Sequence, residues 1–91
     1  MEMKYSDLAY GPQEIIWNTY TAYVPGFYEA DTQERETKLE EAAQDLMRLI
    51  NRMGYEIGDN GSVDITGCNG NEDDYTAGME NLEIAFGRWC R

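Results

Sequence analysis

The stretch from Asp31 to Gly54 constrains the chain most, because a helix start, a helix stop and a buried stripe are all written in its residues. Asp31 offers an N-cap side chain, and Glu34 stands three residues on, where its carboxylate can reach back to the free amides of the first turn. Leu39, Ala42, Ala43, Leu46, Met47, Ile50 and Met53 recur at spacings of three and four, which lays one apolar stripe along a helix and would scatter over both faces of a strand. Gly54 falls where a left-handed residue closes a helix, with Tyr55 and Ile50 at the two positions whose contact accompanies such a stop. The spacing predicts a helix over about 32–53.

The charges of this segment have a stabilising explanation. Asp31, Glu34, Glu36, Glu40 and Glu41 crowd the first half and Arg48 and Arg52 the last turns, opposing the helix macrodipole, and Glu34 and Lys38 have the spacing of an i,i+4 pair.

What surrounds such a helix is bounded by size. A chain of 91 residues makes a single domain with a two-layer core and little to spare. A content of 42% hydrophobic residues, with aromatics at 12% of the chain, argues for a folded protein despite a net charge of −11, so the acidity belongs on a folded surface. No apolar run approaches the roughly 20 residues of a membrane span. Met1 to Gly11 lacks the basic-then-apolar order of a signal peptide, which makes the cytoplasm the expected compartment. Without a secretory signal, Cys68 and Cys90 are expected as reduced thiols, although one disulfide between them is conceivable.

Before the helix, Met1 to Pro12 reads as a loop. Residues 14–24 are dense in β-branched and aromatic side chains, which suit a pleated surface and predict a strand. The rival is a helix opened by Pro12, since Ile16, Tyr20 and Tyr23 also satisfy helical spacing. After the helix, 55–57 and 62–66 alternate apolar with polar around Gly58-Asp59-Asn60-Gly61, the pattern of a β-hairpin. Gly67 to Asp74 reads as a solvated loop. Residues 82–86 alternate again; Met79, Leu82, Phe86 and Trp89 would fit a helix equally, but the glycines at 78 and 87 favour a strand. The expected fold is therefore α+β: one long helix on a mainly antiparallel sheet of about four strands, 14–24, 55–57, 62–66 and 82–86. There Ile57, Val63, Ile65, Leu82, Ile84 and Phe86 would face the helix and Glu56, Asp64 and Glu83 the solvent.

The distribution of charge carries the functional expectation. Between Arg52 and Arg88 the chain has no lysine or arginine, yet Glu56, Asp59, Asp64, Glu72, Asp73, Asp74, Glu80 and Glu83 all lie there. Uncompensated like charges oppose compactness, so such a stretch serves either solubility or a partner. The partner it fits is a basic protein or ribonucleoprotein surface, because channels that neutralise phosphates with Lys and Arg can be occupied by a rigid array of carboxylates. Aromatics cluster at the front of the chain, where Tyr20, Tyr23 and Tyr28 are candidate interface anchors. In general character, by size, charge and lack of active-site chemistry, the chain resembles the small acidic inhibitors with which phages and mobile elements block restriction or CRISPR nucleases. That resemblance implies a nucleic-acid mimic; the chain is expected to work as a monomer or weak homodimer, with no cofactor. The alternative is an interaction module or small subunit of a larger assembly, held through an aromatic face.

Other chemistries fit less well. With no histidine, nothing of the usual kind activates Cys68, Ser or Thr as a nucleophile. Asp73 and Asp74 have nothing apolar around them to raise a pKa for acid catalysis. Counting from Asn69, the acids imitate a calcium loop at Asn71, Asp73 and Glu80, but the sixth position is Asp74 where the turn demands glycine. No glycine-rich loop opens a helix, and the sign of the charge disfavours direct nucleic-acid binding. The expectation is a binding protein with neither metal nor catalysis.

Overall fold

The computed structural model describes residues 4–65 and 71–90, which form a 3-10 turn over Tyr5–Asp7, helices α1 (Tyr10–Tyr23), α2 (Thr32–Arg52) and α3 (Glu72–Cys90), and a ribbon of strands β1 (Glu56–Ile57) and β2 (Val63–Asp64). Helix α2 stands where its caps place it. The Glu34 amide donates to Asp31 Oδ1 at 2.8 Å. At the other end Gly54 takes φ 81°, and the Tyr55 amide donates to the Ile50 carbonyl at 3.0 Å. The left-handed turn is what glycine permits without a Cβ clash. Ala42, Ala43, Leu46, Leu49 and Ile50 form its buried face. Among the described residues the ion pair on this helix is Arg48 to Asp45 at 3.5 Å, not the expected Glu34 to Lys38.

What α2 packs against differs from the expectation. The four-strand sheet is absent among the described residues: α2 is covered by α1 and α3, which also pack on each other, and the β structure is a single two-stranded antiparallel ribbon. The expected strand over 14–24 is α1. Pro12, Ile15, Ile16, Thr19 and Tyr20 are its buried residues, a run of threes and fours that makes one helical stripe. Pro12 falls in the first turn, where a missing N–H breaks no helical bond. The β-branched residues lose a little rotamer freedom in a helix, a few tenths of a kcal/mol each, whereas burying an isoleucine contributes about 1.5–3 kcal/mol, so packing overrides propensity.

The expected strand over 82–86 lies inside α3. Leu82 and Phe86 are fully buried, four residues apart, while Ile84, which alternation would bury with them, is 55% exposed. The glycines that suggested a strand are contact points. A Cβ on Gly78 would come within 2.6 Å of Ile65 Cγ2, and one on Gly87 would sit 3.6 Å from the Tyr23 ring. Gly78 lets Ile65 approach α3 more closely than any side chain would allow, whereas at Gly87 a Cβ would be in ordinary contact with Tyr23. Of the expected loop over 67–74, residues 67–70 lie outside the described residues and 72–74 belong to α3. Asn71 Oδ1 accepts from the amides of Asp73 at 3.0 Å and Asp74 at 3.3 Å, which starts the helix there.

The hairpin is present, with Glu56 opposite Asp64 and Ile57 opposite Val63. The Gly58 amide donates to the Ser62 carbonyl at 2.9 Å, and Asn60 Oδ1 accepts from the Ser62 amide at 3.0 Å. Gly61, at φ 80°, lies so close to the backbone of residues 7–9 that any Cβ would collide with it, and its carbonyl accepts from the Ala9 amide at 3.0 Å. Among the described residues, no helix is long and apolar enough to cross a membrane.

The aromatic core joins the helices. Tyr20 of α1 stacks on Phe86 of α3 with centroids 6.3 Å apart. Phe27, fully buried in the α1–α2 connection, meets the edges of Tyr20 at 5.4 Å and Trp17 at 5.5 Å. Arg35 Nη2 ties that connection to α2 by donating to the carbonyls of Ala30 at 2.9 Å and Tyr28 at 3.2 Å. At the far end the Arg52 guanidinium lies 5.3 Å over the Trp89 ring, linking the ends of α2 and α3.

Candidate functional site

The acidic residues fall into three groups. Glu56 and Asp64 face each other directly across the ribbon, both exposed, with exposed Asp59 in the turn beyond them. Side chains at such facing positions are near neighbours, and two carboxylates there repel. Glu72, Asp73 and Asp74 form the exposed first turn of α3. Their charge is compensated in part by the free amides and the positive end of the helix macrodipole, so three consecutive acids are held in ordered backbone instead of the expected loop. The third group is Glu80 and Glu83, on the exposed side of α3 beside α1.

The ribbon and α3 meet through Ile65, just after β2, whose side chain lies against Gly78. That contact is about one helical turn beyond Asp74. The first two acidic groups are therefore carried by elements in direct contact. Glu83 does not share a strand face with Glu56 and Asp64, since helical geometry turns it towards α1. Among the described residues none of these eight acids is in an ion pair; the recorded pair is Asp45 with Arg48, on α2.

The three tyrosines separate. Tyr20 is 9% exposed, and its ring serves the core. Tyr23 is 46% exposed and Tyr28 is 66% exposed, with Tyr28 lying 6.2 Å from the Trp17 ring. Tyr10, at 77% exposed, is the most open of the large hydrophobic side chains among the described residues, although its place in a polar lead-in gave no sign of it.

Sequence reasoning also missed a groove between α1 and α3. It has a volume of about 660 Å³, with Asn18, Thr19 and Ala22 on one side and Glu83, Ile84 and Arg88 on the other. A second depression of about 300 Å³, reaching Glu14 and Met79, shares Asn18, Glu80 and Glu83 with the first. A helical reading of 79–89 would have found it, because it puts Glu80, Glu83, Ile84 and Gly87 along one side of α3. Among the described residues no group of acids and thiols is placed to hold a metal ion. The calcium-like pattern counted from Asn69 begins outside the described residues, and its later members belong to the start of α3.

The chain matches no protein-family model, and it shows no significant similarity to a curated protein or to a solved structure.

Proposed function

We propose that this protein is a small acidic inhibitor that occupies the basic, nucleic-acid-binding site of a nucleic-acid-handling protein or complex, in the manner of a counter-defence nucleic-acid mimic. The observation that carries this reading is the facing pair Glu56 and Asp64. Two like charges placed directly opposite on an exposed ribbon destabilise the fold that holds them, and neither has a counter-charge among the described residues. Solubility alone could be had from carboxylates spread apart. Carboxylates at fixed spacing on ordered elements give a cationic cleft a preformed counterpart, which raises the rate of encounter and sets the register of docking.

The test is binding to a basic nucleic-acid-handling partner at rising salt. Affinity is expected to fall steeply with ionic strength, and Glu56→Lys with Asp64→Lys to weaken it by about tenfold or more, the scale reported for close charge pairs. Binding that ignores both salt and the reversals would rule the reading out.

Exposed Tyr10 and Tyr28 favour a second reading, an interaction module or assembly subunit bound through an aromatic face. It expects the opposite signature: truncation of those tyrosines abolishes binding, and salt changes little.

A further inference from the structure

We infer that the groove between α1 and α3 seats a short basic, amphipathic segment of a partner protein. This deepens the reading above and rests on it only for the sign of the partner's charge.

Two observations converge on the groove. Its middle is apolar and open: Ile84 is 55% exposed where Ala22 and Tyr23 face it across the groove, so an aliphatic side chain entering there would remove apolar surface from water. Its charge is net acidic: Glu80 and Glu83 line the first depression against a single base, Arg88, and Glu14 continues into the second.

The pattern selects its occupant. Carboxylates along an apolar strip suit arginine or lysine placed beside an aliphatic residue, whose stem packs on Ile84 while the head reaches Glu80 or Glu83. A phosphate backbone is repelled by the same acids. A second copy of this chain would bring its own net charge of −11 against them.

The test titrates the full chain, by amide NMR at physiological salt, with a short synthetic peptide of arginine and leucine arranged on opposite sides, and with a control peptide carrying neutral citrulline for arginine. Shift changes are expected along 14–23 and 79–88, with binding at least about tenfold weaker for the control, the order of a charge-assisted hydrogen bond. Glu83→Gln is expected to weaken binding by a similar factor. Ala22→Trp, which fills the groove from an exposed position without altering charge, is expected to abolish it, with helicity by circular dichroism unchanged. Shift changes confined to the ribbon and the start of α3 would overturn the groove while leaving the acidic-surface reading standing. Equal binding of the citrulline control would overturn the charged occupant, and a concentration-dependent dimer that closes the groove would make a second copy the occupant instead. Should the peptide bind as expected while Glu56→Lys with Asp64→Lys leaves partner binding unchanged, the groove stands and the mimicry reading falls.

Discussion

Helix α2 and the α1–α3 pair are built on different principles. The first carries its own instructions: an aspartate that caps the start, a glycine that closes the end and a polar back opposite one apolar stripe. The pair carries few. Helix α1 has no side-chain cap hydrogen bond at Ala9, and its buried residues include three β-branched side chains, Ile15, Ile16 and Thr19. Helix α3 contains two glycines, each lowering intrinsic helicity by about 1 kcal/mol relative to alanine. These two are helical because the fold needs them so: Tyr20 stacks on Phe86, and Gly78 lets Ile65 come close. The lesson is that α2 is specified locally from cap to cap, whereas α3 has a local start at Asn71 but is held along its length, like α1, by the surfaces the two share.

The comparison can be broken or sharpened by experiment. The largest effect is expected from Phe86→Ala, a destabilisation of about 3–5 kcal/mol in urea unfolding, because it empties the contact on which the pair depends. If α3 were locally specified, its amides would stay protected from hydrogen exchange in that variant while those of α1 opened. Asp31→Ala, which removes a cap, should cost about 1 kcal/mol and shorten protection only in the first turn of α2. Asp64→Lys should act with the opposite sign. By turning a repulsive facing pair into an attractive one it should stabilise by about 0.2–1 kcal/mol, and by less at high salt. A thermal scan at two salt concentrations checks this, and stabilisation joined to weaker partner binding would show stability given up for function.

The smallest effect concerns Tyr5, where the lead-in segment meets both regions. Burial raises its pKa above the usual 10.0, since desolvation penalises the phenolate. The folded state then holds its proton more tightly than the unfolded one. Stability from this source is intact below about pH 10 and declines as pH rises from there through the folded value. Tyr5→Phe should flatten that alkaline decline, as read from unfolding curves across that range. The neighbouring tie, Gln13 Nε2 to the Tyr5 carbonyl at 3.0 Å, would remain.

The difference in specification explains what was legible in the residues. Asp31, Gly54 and the stripe from Leu39 to Met53 marked α2 in advance, and Gly58-Asp59-Asn60-Gly61 marked the hairpin, because caps and turns act within a few residues. Residues 14–24 were misread because local propensity favoured a strand and the decisive spacing runs through Pro12, Ile15 and Thr19, which only a neighbouring surface makes inward-facing. Residues 82–86 were misread because Gly78 and Gly87 look like breaks until the side chains resting on them are seen. The acids were all visible as a block, but their sorting into ribbon, helix start and groove wall depends on α3 being a helix. The groove itself, between elements both taken for strands, could not be seen from that starting point.

Ala9 is the residue from which α1 begins, and its amide is held by the carbonyl of Gly61 in the hairpin turn. Because the backbones there touch with no side chain between them, the ribbon cannot be pushed aside without dragging the first turn of α1, which includes Gly11 at the floor of the second depression. A partner leaning on the ribbon therefore handles the mouth of the groove at the same moment, as a hand on a lever moves what the lever is pinned to.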